Sequence, residues 1–302
     1  MMYDCAIVGG GPAGLNAALV LGRAGRTVAL FDNNQPRNGV THASHGFITR
    51  DGIQPAEFRR IAYEEVMRYP SVTQREDEVT DIRKLENGFE IKTLAGESAQ
   101  ARKLIVAAGL KEIFPDIEGL HDFYGKSLFN CPFCDGWELR DQPLVIVSED
   151  ARVFHLTKML YNWSKDLIVC TNGHAPFTEE QKNLLESKGI QLIETPVEAF
   201  EGQDGLLEQV RFADGTSILR SGGFIGPKWV AKAAFANRLG YETTNHGGIV
   251  ADEMGRSSVP GLYAAGDAAY VGPSQVIYAA ASGSKAAMAV CADLFEEDFS
   301  SQ

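Results

Sequence analysis

The first part of the chain alternates between apolar runs of strand length and stretches of helical periodicity. Residues 5–8 and 27–31 are apolar runs, and a helical stretch from Leu15 to about Arg23 separates them. Residues 56–68 predict an amphipathic helix on the outer face, with no evident chemistry. This order is typical of the start of an α/β fold.

Further apolar runs predict the remaining strands. Segments at 79–82 and 89–93 indicate a small antiparallel meander, and the run at 103–106 is a buried strand whose end reaches Gly109. The middle of the chain has the order β-α-β-α-β, with its elements at 143–147, 153–162, 167–170, 179–188 and 190–193. That order predicts a second parallel sheet with crossover helices.

Three glycines follow the first strand and open the first helix. Gly9 permits a tight turn, Gly11 lets backbone N–H groups approach a pyrophosphate, and Gly14 lets the helix pack on the strand. Asp32 ends the next strand, about where a ribose hydroxyl needs an acceptor. The combination predicts a dinucleotide site, and the alternative is a glycine-rich turn with no ligand.

A second nucleotide-facing segment lies near the C-terminus. An apolar strand at 260–265 ends in Gly266-Asp267, which places a carboxylate at the carboxyl end of a strand. A long helix is predicted to begin near Ser274 and to continue to about residue 294. Small residues in its first turns would allow close approach to a flat ligand, whereas an alanine-rich core helix is the alternative.

Cys131 and Cys134 form a CxxC motif, which is compatible with a redox dithiol, half of a zinc site or coincidence. His42 and His45 lie in a polar loop after the nucleotide-binding strand. They are candidates for a site wall, for zinc ligands together with the two cysteines, or for solvated loop residues. In a reducing compartment a close cysteine pair is more often catalytic or metal-binding than structural.

Charge and the length of the apolar runs argue against two classes of protein, those that bind nucleic acid and those that span a membrane. The chain has 302 residues and a formal net charge of -12, and it has no Lys/Arg-rich run, so nucleic acid is not an expected partner. No apolar run is long enough to span a membrane, and the N-terminus resembles no targeting peptide, so the cytoplasm is the expected location. Cys5, Cys170 and Cys291 lie in apolar surroundings and are expected in the core.

An ordered set of motifs covers nearly the whole chain, namely Gly9-x-Gly11-x-x-Gly14, Ala107-Ala108-Gly109, Cys131-x-x-Cys134-Asp135-Gly136, Tyr263-Ala264-Ala265-Gly266-Asp267 and Gln275. This set resembles the low-molecular-weight thioredoxin reductases. The resemblance implies an α/β fold of two Rossmann-like, three-layer ββα domains, the second inserted into a split FAD domain. The expected boundaries are 1–113 and 237–302 for the FAD domain and 114–236 for the inserted domain that carries the CxxC.

The resemblance also implies roles for individual residues. FAD would be held by residues of the glycine turn, the strand ends and the start of the last helix: Gly9, Gly11, Pro12, Ala13, Gly14, Asp32, Asn33, Gly109, Gly266, Asp267, Gln275 and Val276. Cys134 would face the flavin, Cys131 would exchange with substrate, and Asp135 would act as acid and base. His42 and His45 are further candidates for moving the proton. A homodimer is expected.

The inserted domain departs from the family pattern. The family has a glycine-rich loop and a basic cluster for NADPH, whereas residues 148–153 contain no glycine and the second strand ends in Thr171-Asn172-Gly173 without an arginine. Glu149 and Asp150 would suit a helix N-terminus themselves and repel a pyrophosphate. The sequence therefore predicts that NADPH is not used at the usual site.

Relatives with similar losses are flavin-dependent dithiol oxidases and thioredoxin reductases that do not use pyridine nucleotides. The oxidases usually have His where this chain has Asp135, so both directions of electron flow stay open. The expected function is FAD-dependent exchange of two electrons with a dithiol or disulfide, either a small molecule or a thioredoxin-like protein. Ferredoxin or oxygen is the expected redox partner, and no metal is expected. The alternatives are an NADPH-dependent thioredoxin reductase and a non-catalytic flavin-binding redox sensor.

Overall fold

The computed structural model describes residues 2–270 and 275–300. Its contacts divide the chain into two compact units. The first unit comprises Met1–Gly39, Phe47–Lys111 and Trp229–Gln302, and the second comprises Val40–Gly46 and Glu112–Lys228. Residues 229–236, which the sequence analysis assigns to the inserted domain, thus fall in the first unit, and Val40–Gly46 falls in the second.

The described residues form strands and helices that we number in chain order. The strands are β1 (Met2–Val8), β2 (Val28–Phe31), β3 (Val72–Arg75), β4 (Val79–Leu85), β5 (Gly88–Thr93), β6 (Ser98–Val106), β7 (Leu110–Ile113), β8 (Leu128–Phe129), β9 (Leu144–Val147), β10 (Leu167–Cys170), β11 (Gln191–Ile193), β12 (Val197–Gln203), β13 (Leu206–Phe212), β14 (Ser217–Leu219), β15 (Gly222–Ile225), β16 (Lys228–Ala231) and β17 (Leu262–Ala264). The α-helices are α1 (Pro12–Arg23), α2 (Pro55–Val66), α3 (Leu120–Phe123), α4 (Pro132–Asp135), α5 (Arg152–Leu160), α6 (Glu179–Ser187) and α7 (Val276–Ser300).

The first unit is built on a mixed sheet of order β3-β2-β1-β6-β5-β4, with β17 also paired to β6. Strands β2, β1, β6 and β17 are parallel, and β4 and β5 form the predicted antiparallel meander. In register, Val8 lies opposite both Phe31 and Val106, and Val106 lies opposite Ala264. The carboxyl ends of four parallel strands therefore meet at one edge of the sheet.

Strand β1 is buried on both faces because its residues alternate between two apolar clusters. Cys5 and Ile7 belong to the cluster that includes α1 and α7, whereas Ala6 and Val8 belong to the cluster on the other face. Such a strand has no polar face to present to water. This explains the continuous apolar run in the sequence.

Helices α1 and α7 pack closely because small residues lie between them. A Cβ atom at Gly283 of α7 would come 2.0 Å from the backbone oxygen of Ala13. Nearby, the side-chain amide of Asn16 donates to the backbone oxygen of Ala280 at 2.9 Å. The small residues predicted at the start of the last helix thus serve contact with α1.

The second unit contains a five-stranded parallel sheet of order β11-β10-β9-β15-β8 and a separate antiparallel sheet of order β12-β13-β14. The chain runs outwards from β9 through β10 to β11, and β15 and β8 lie on the opposite side of β9. The strand order therefore reverses between β9 and β15, which is where open α/β sheets bind ligands. Strands β7 and β16, where the chain passes between the units, pair as a two-stranded sheet.

The predicted fold class is confirmed, since both units contain a parallel sheet with helices packed on it. The middle β-α-β-α-β segment corresponds to β9-α5-β10-α6-β11. Strands β12–β14 were not predicted from the sequence, and helix α7 continues to Ser300 rather than stopping near residue 294. Ser274, the predicted start of that helix, lies outside the described residues, and no helix within them could cross a bilayer.

Candidate active site

A cavity of about 630 Å³ opens in the first unit at the carboxyl ends of β1, β2 and β6. Its wall includes all but one of the predicted FAD residues, namely Gly9, Gly11, Pro12, Ala13, Asp32, Asn33, Gly109, Gly266, Asp267, Gln275 and Val276. The exception is Gly14, which packs against the strand side of the turn instead. The wall is thus assembled from segments that are far apart in sequence.

The three motif glycines are required for different physical reasons. Gly9 has a φ of +111°, and a Cβ there would lie 2.3 Å from the backbone oxygen of Ala107. A Cβ at Gly14 would lie 1.8 Å from the backbone oxygen of Gly9. By contrast, a Cβ at Gly11 would meet no described atom within 4 Å. Gly9 and Gly14 therefore shape the turn, whereas Gly11 faces open space at the N-terminus of α1.

Helix α2 holds the carboxylate that was predicted to bind ribose. Arg59 Nη2 and the Tyr63 hydroxyl donate to Asp32 Oδ2 at 2.5 Å and 2.8 Å. Burial, followed by the negative charge of Asp32, raises the pKa of Tyr63, so its hydroxyl keeps the proton that it donates. No chemistry was predicted for this helix from its sequence. Only the amphipathic spacing was visible, and it does not show which polar side chain turns inward.

The Tyr63–Asp32 pair lies directly over Gly10, the second residue of the glycine turn. A Cβ at Gly10 would come 2.1 Å from the Tyr63 hydroxyl and 2.6 Å from Asp32 Oδ2. Gly10 therefore cannot carry a side chain unless this pair moves. The glycine turn and helix α2 form one packed assembly.

Arg37 and Asp267 form an ion pair in the cavity wall, with Arg37 Nη2 3.0 Å from Asp267 Oδ2. The adjacent Gly266 has a φ of +63°, and its N–H donates to Ser282 Oγ at 2.7 Å. Arg37 was visible in the sequence only as part of a polar loop. Its partner is more than two hundred positions away, so local pattern could not reveal the pair.

These features fit the dinucleotide that the sequence predicts. No side chain caps the N-terminus of α1, so its first N–H groups are available to a phosphate. Arg59 Nε is buried and has no hydrogen-bond partner among the described residues, and its side chain belongs to the cavity wall. Such a buried donor needs an acceptor. Bound FAD would supply both a pyrophosphate and further polar groups.

The second unit carries the cysteine pair. Cys131 and Cys134 form a disulfide with a Cα–Cα distance of 5.3 Å, at the start of the short helix α4. Both are half-buried, so the bond is partly accessible. With the sulfurs joined, neither is available as a thiolate ligand in the alternative zinc site.

Glu112 anchors the chain just before the cysteines. Its carboxylate accepts from the Tyr124 hydroxyl at 3.0 Å and from the Asn130 side-chain amide. Asn130 immediately precedes Cys131, so this network fixes where the CxxC turn begins. The role of Glu112 could not be predicted from sequence, because its partners Tyr124 and Asn130 lie 12 and 18 positions further along the chain.

Asp135 directly follows Cys134 and is the last residue of α4. Burial, and secondly the charge of Glu138, raise the pKa of Asp135 to about 7. A carboxyl group with that pKa holds its proton for about half of the time near neutral pH, so it can both give and take one. This agrees with the acid/base role that the resemblance implies.

The two loop histidines belong to the unit that carries the cysteines, rather than to the first unit as the predicted boundaries imply. Gly125 explains this placement, because its φ of +83° brings its Cα against the backbone of Val40, where a Cβ would be 2.5 Å from the oxygen. His45 Nε2 lies 3.6 Å from Glu138 Oε1, whereas His42 is exposed. Glu138 was not predicted, and only its position three residues after Asp135 hinted at it.

Exposed aromatic side chains surround the disulfide. Phe133, inside the CxxC, is 66% exposed, and Trp137 is 64% exposed. The Phe133 ring meets Trp163 edge to face at 5.6 Å, and Arg140 stacks over Trp137 at 4.1 Å. Large exposed rings of this kind are typical of surfaces that bind a partner or ligand.

The chain's own side chains occupy the turn at the point where the second sheet reverses. Glu149 accepts from the Asn172 side chain at 3.0 Å and from Lys228 Nζ at 3.2 Å. Asp150 Oδ1 accepts from the backbone N–H of Arg152, the first residue of α5, at 2.9 Å, and the Asp150 carboxylate also pairs with the Arg152 guanidinium. A pyrophosphate would need these same helix N–H groups.

A nucleotide cavity in one α/β unit and a half-buried dithiol turn in another define a flavin-dependent disulfide oxidoreductase of the thioredoxin reductase type. The chain belongs to the pyridine nucleotide-disulphide oxidoreductase family, whose model matches residues 3–283. The family implies FAD as the cofactor.

Individual relatives agree with this assignment. A Bacillus anthracis protein assigned as thioredoxin reductase TrxB is 46% identical in sequence, with a TM-score of 0.94, and the match covers 98% of this chain and 99% of that one. An oxidoreductase from Agrobacterium tumefaciens is 32% identical, with a TM-score of 0.91 and coverage of 98% and 99%. Thioredoxin reductase aclD of Aspergillus oryzae is 32% identical over 88% of each chain.

Alanine substitutions at Gly11 and Gly10 should separate cofactor binding from folding. The Gly11→Ala apoprotein should unfold like the unmodified apoprotein, because the methyl meets no described atom within 4 Å, yet it should bind FAD on the order of tenfold more weakly. Gly10→Ala should destabilise the apoprotein by about 1–3 kcal/mol, since the methyl displaces Tyr63 and Asp32. Thermal unfolding of apoprotein and fluorescence titration with FAD measure the two effects. Unchanged FAD affinity in Gly11→Ala would contradict this site.

Asp135→Asn should stabilise the protein at alkaline pH. The folded-state pKa of Asp135 is raised from 3.8 to about 7, so the folded protein keeps the proton longer than the unfolded chain does, and stability falls as pH rises through that interval. At about pH 8 the variant should gain about 2–4 kcal/mol, and the gain should vanish near pH 4. Urea unfolding of the oxidised protein across this range measures it. Exposed Asp116→Asn is the control, and an equal gain there would contradict the interpretation.

Proposed function

We propose that this protein exchanges two electrons between FAD and a substrate dithiol or disulfide through Cys131 and Cys134, without NADPH at the usual site. The observation that carries the proposal is the self-occupied turn of the second unit. Glu149 is hydrogen-bonded to Asn172 and Lys228 there, and Asp150 accepts from the backbone N–H of Arg152 at the start of α5. The glycine turn of the first unit, in contrast, leaves its helix N-terminus open.

The cysteines carry the exchange. In the reducing direction, the Cys131 thiolate attacks a substrate sulfur, and the substrate disulfide breaks as one substrate thiol leaves with a proton. The Cys134 thiolate then attacks Cys131 Sγ, which closes the protein disulfide and releases the second substrate thiol. Two electrons pass from the protein dithiol to the substrate, and the same steps reversed oxidise a dithiol substrate. Bound FAD supplies the two-electron store that restores the starting state.

In this scheme Asp135 acts as the general acid and base. It follows Cys134 directly, and its pKa of about 7 lets it protonate a leaving thiolate or accept the proton of an attacking thiol. By resemblance, Cys134 is the sulfur that faces the flavin and Cys131 is the one that meets the substrate.

An NADPH-dependent thioredoxin reductase is the second candidate. The names of relatives favour it, because several are called thioredoxin reductases, including one from Helicobacter pylori. The two candidates make opposite demands on the turn at 148–153. An NADPH-dependent reductase requires the nucleotide to displace Glu149 and Asp150. An enzyme that does not use NADPH leaves these two side chains in place.

The substrate would dock on the aromatic surface beside the disulfide, formed by the exposed Phe133 and Trp137, with half-buried Trp163 behind Phe133. Apolar, solvent-exposed rings suit either a small disulfide metabolite or the apolar rim of a thioredoxin-like protein. Ferredoxin or oxygen would complete the electron path. We further propose that the reaction takes place in the cytoplasm, because the remaining described cysteines are buried free thiols, as a reducing compartment favours.

Anaerobic mixing of FAD-loaded protein with NADPH, NADH and a small dithiol in separate arms tests the proposal. The dithiol should bleach the flavin rapidly, whereas either nucleotide should do so on the order of a hundredfold more slowly, because no phosphate loop holds it. Cys134→Ser should abolish bleaching by dithiol, while Cys170→Ser, a buried cysteine away from the motif, should retain it. Rapid bleaching by micromolar NADPH would instead establish the second candidate.

We also propose a homodimer, in which helix α7 of one copy meets the same helix of another. The described part of α7 exposes apolar side chains along its length, namely Ile277, Tyr278, Met288, Phe295 and Phe299. Phe299 is 94% exposed, which is unfavourable for a side chain of that size in water. A two-fold interface uses one patch twice, so a single apolar stripe is sufficient.

Met288→Glu should shift the protein towards monomer, because two copies of the new charge would face each other across the two-fold axis. Sedimentation velocity at several concentrations measures the shift, and the expected change is at least tenfold in the dissociation constant. Leu184→Glu on α6, where the leucine is 45% exposed, is the matched control and should leave the dimer intact. A monomeric unmodified protein, or a Met288→Glu dimer of unchanged affinity, would refute the interface.

A further inference from the structure

The turn after the CxxC brings three ionisable side chains together. Asp135 lies directly after Cys134, and Glu138 follows it three residues later. Glu138 Oε1 in turn lies 3.6 Å from Nε2 of His45, which comes from the polar loop. The side chains of His45 and Glu138 are 24% and 43% exposed, so both can exchange protons with solvent.

The three groups are coupled by charge. Ionised Glu138 opposes ionisation of Asp135, because two like charges repel, and Asp135 is too buried for water to screen the effect fully. A protonated imidazole at His45 offsets the charge of Glu138 at close range. The pKa of Asp135 therefore depends on the charges of side chains outside the CxxC motif.

We propose that Glu138 and His45 act as a positioning pair that tunes how Asp135 delivers and accepts the proton during thiol–disulfide exchange. The proposal rests on the proposed function of the cysteine pair. Neither member of the pair needs to touch substrate or cofactor. Both act through Asp135, and the sequence motif alone contains neither of them.

Most other charged groups near the turn have separate partners, and His155 on α5 is exposed. Helix α5 packs against α4 and carries Arg152, His155 and Lys158. Arg152 pairs with Asp150, and Lys158 lies over the Phe154 ring. Among the described residues, Glu138 is the charged side chain that shifts the pKa of Asp135. On the turn itself, Arg140 stacks on Trp137. On β7, Glu112 accepts hydrogen bonds from Tyr124 and Asn130.

The charge arrangement predicts shifts of opposite sign. Glu138→Gln removes the repelling charge, so the titration midpoint of the Asp135 carboxyl should move down by roughly half a pH unit. His45→Asn removes an imidazole that offsets the charge of Glu138 when it is protonated, so the midpoint should move up by a smaller amount. In the double variant the midpoint should match that of Glu138→Gln, because His45 acts through Glu138.

Carbon-13 NMR of aspartate carboxyls in the full-length oxidised protein measures these midpoints, with Asp135→Asn assigning the signal. The pH profile of dithiol turnover by FAD-loaded enzyme should shift in the same directions. Glu186→Gln on α6 makes the same charge change elsewhere in the second unit and should leave both readouts unmoved. The NMR titration does not require turnover, so it tests the pair even if the proposed function fails.

Shifts of the same sign in both single variants, or no shift in either, would overturn the proposal. A purely structural role would also be revealed, because it would lower activity in both variants without moving the carboxyl titration. Opposite shifts in the NMR midpoints together with an unchanged pH profile of turnover would refute the catalytic part, since Asp135 would then not limit exchange.

Discussion

The close approach of helix α1 to its neighbours is the constraint on which the first unit depends. Gly14 places the helix against the turn that starts it, and Gly283 lets α7 pack on Ala13 from the other side. Any side chain at either glycine would push the helix away from the edge of the sheet. The position of its N-terminus, and hence the cavity at the carboxyl ends of β1, β2 and β6, follows from these contacts.

Much of the fold and part of the site can be predicted from sequence because the signals are local. The glycine turn lies between its own strand and helix, and the two cysteines are three residues apart, so adjacency in sequence becomes adjacency in space. Long-range partners are different. Arg59, Tyr63 and Arg37 meet their carboxylates only after distant elements pack, and Glu138 meets His45 only because Val40–Gly46 belongs to the second unit.

The sheet of the second unit does not depend on the residues of its β9–α5 turn for its packing. This sheet is stabilised by buried apolar residues of β9, β10 and β15, which pack in one cluster. Examples are Val145, Val147, Ile168 and Ile225. Those residues do not depend on what the turn binds. The same sheet can therefore form whether the turn contains glycines or carboxylates. For this reason the strand periodicity predicted the architecture correctly, although the sequence of the turn does not match a nucleotide-binding loop.

The bonds of Glu149 also limit how this chain could change in evolution. Replacing it with glycine would leave Lys228 without its ion-pair partner and the Asn172 side chain without its acceptor, while Asp150 would still accept from the backbone N–H of Arg152. Each single step towards a phosphate-binding loop thus loses contacts before any new ligand can compensate. Such dependence of one substitution on others is epistasis. A change from this acidic turn to a glycine-rich one therefore requires several coordinated substitutions.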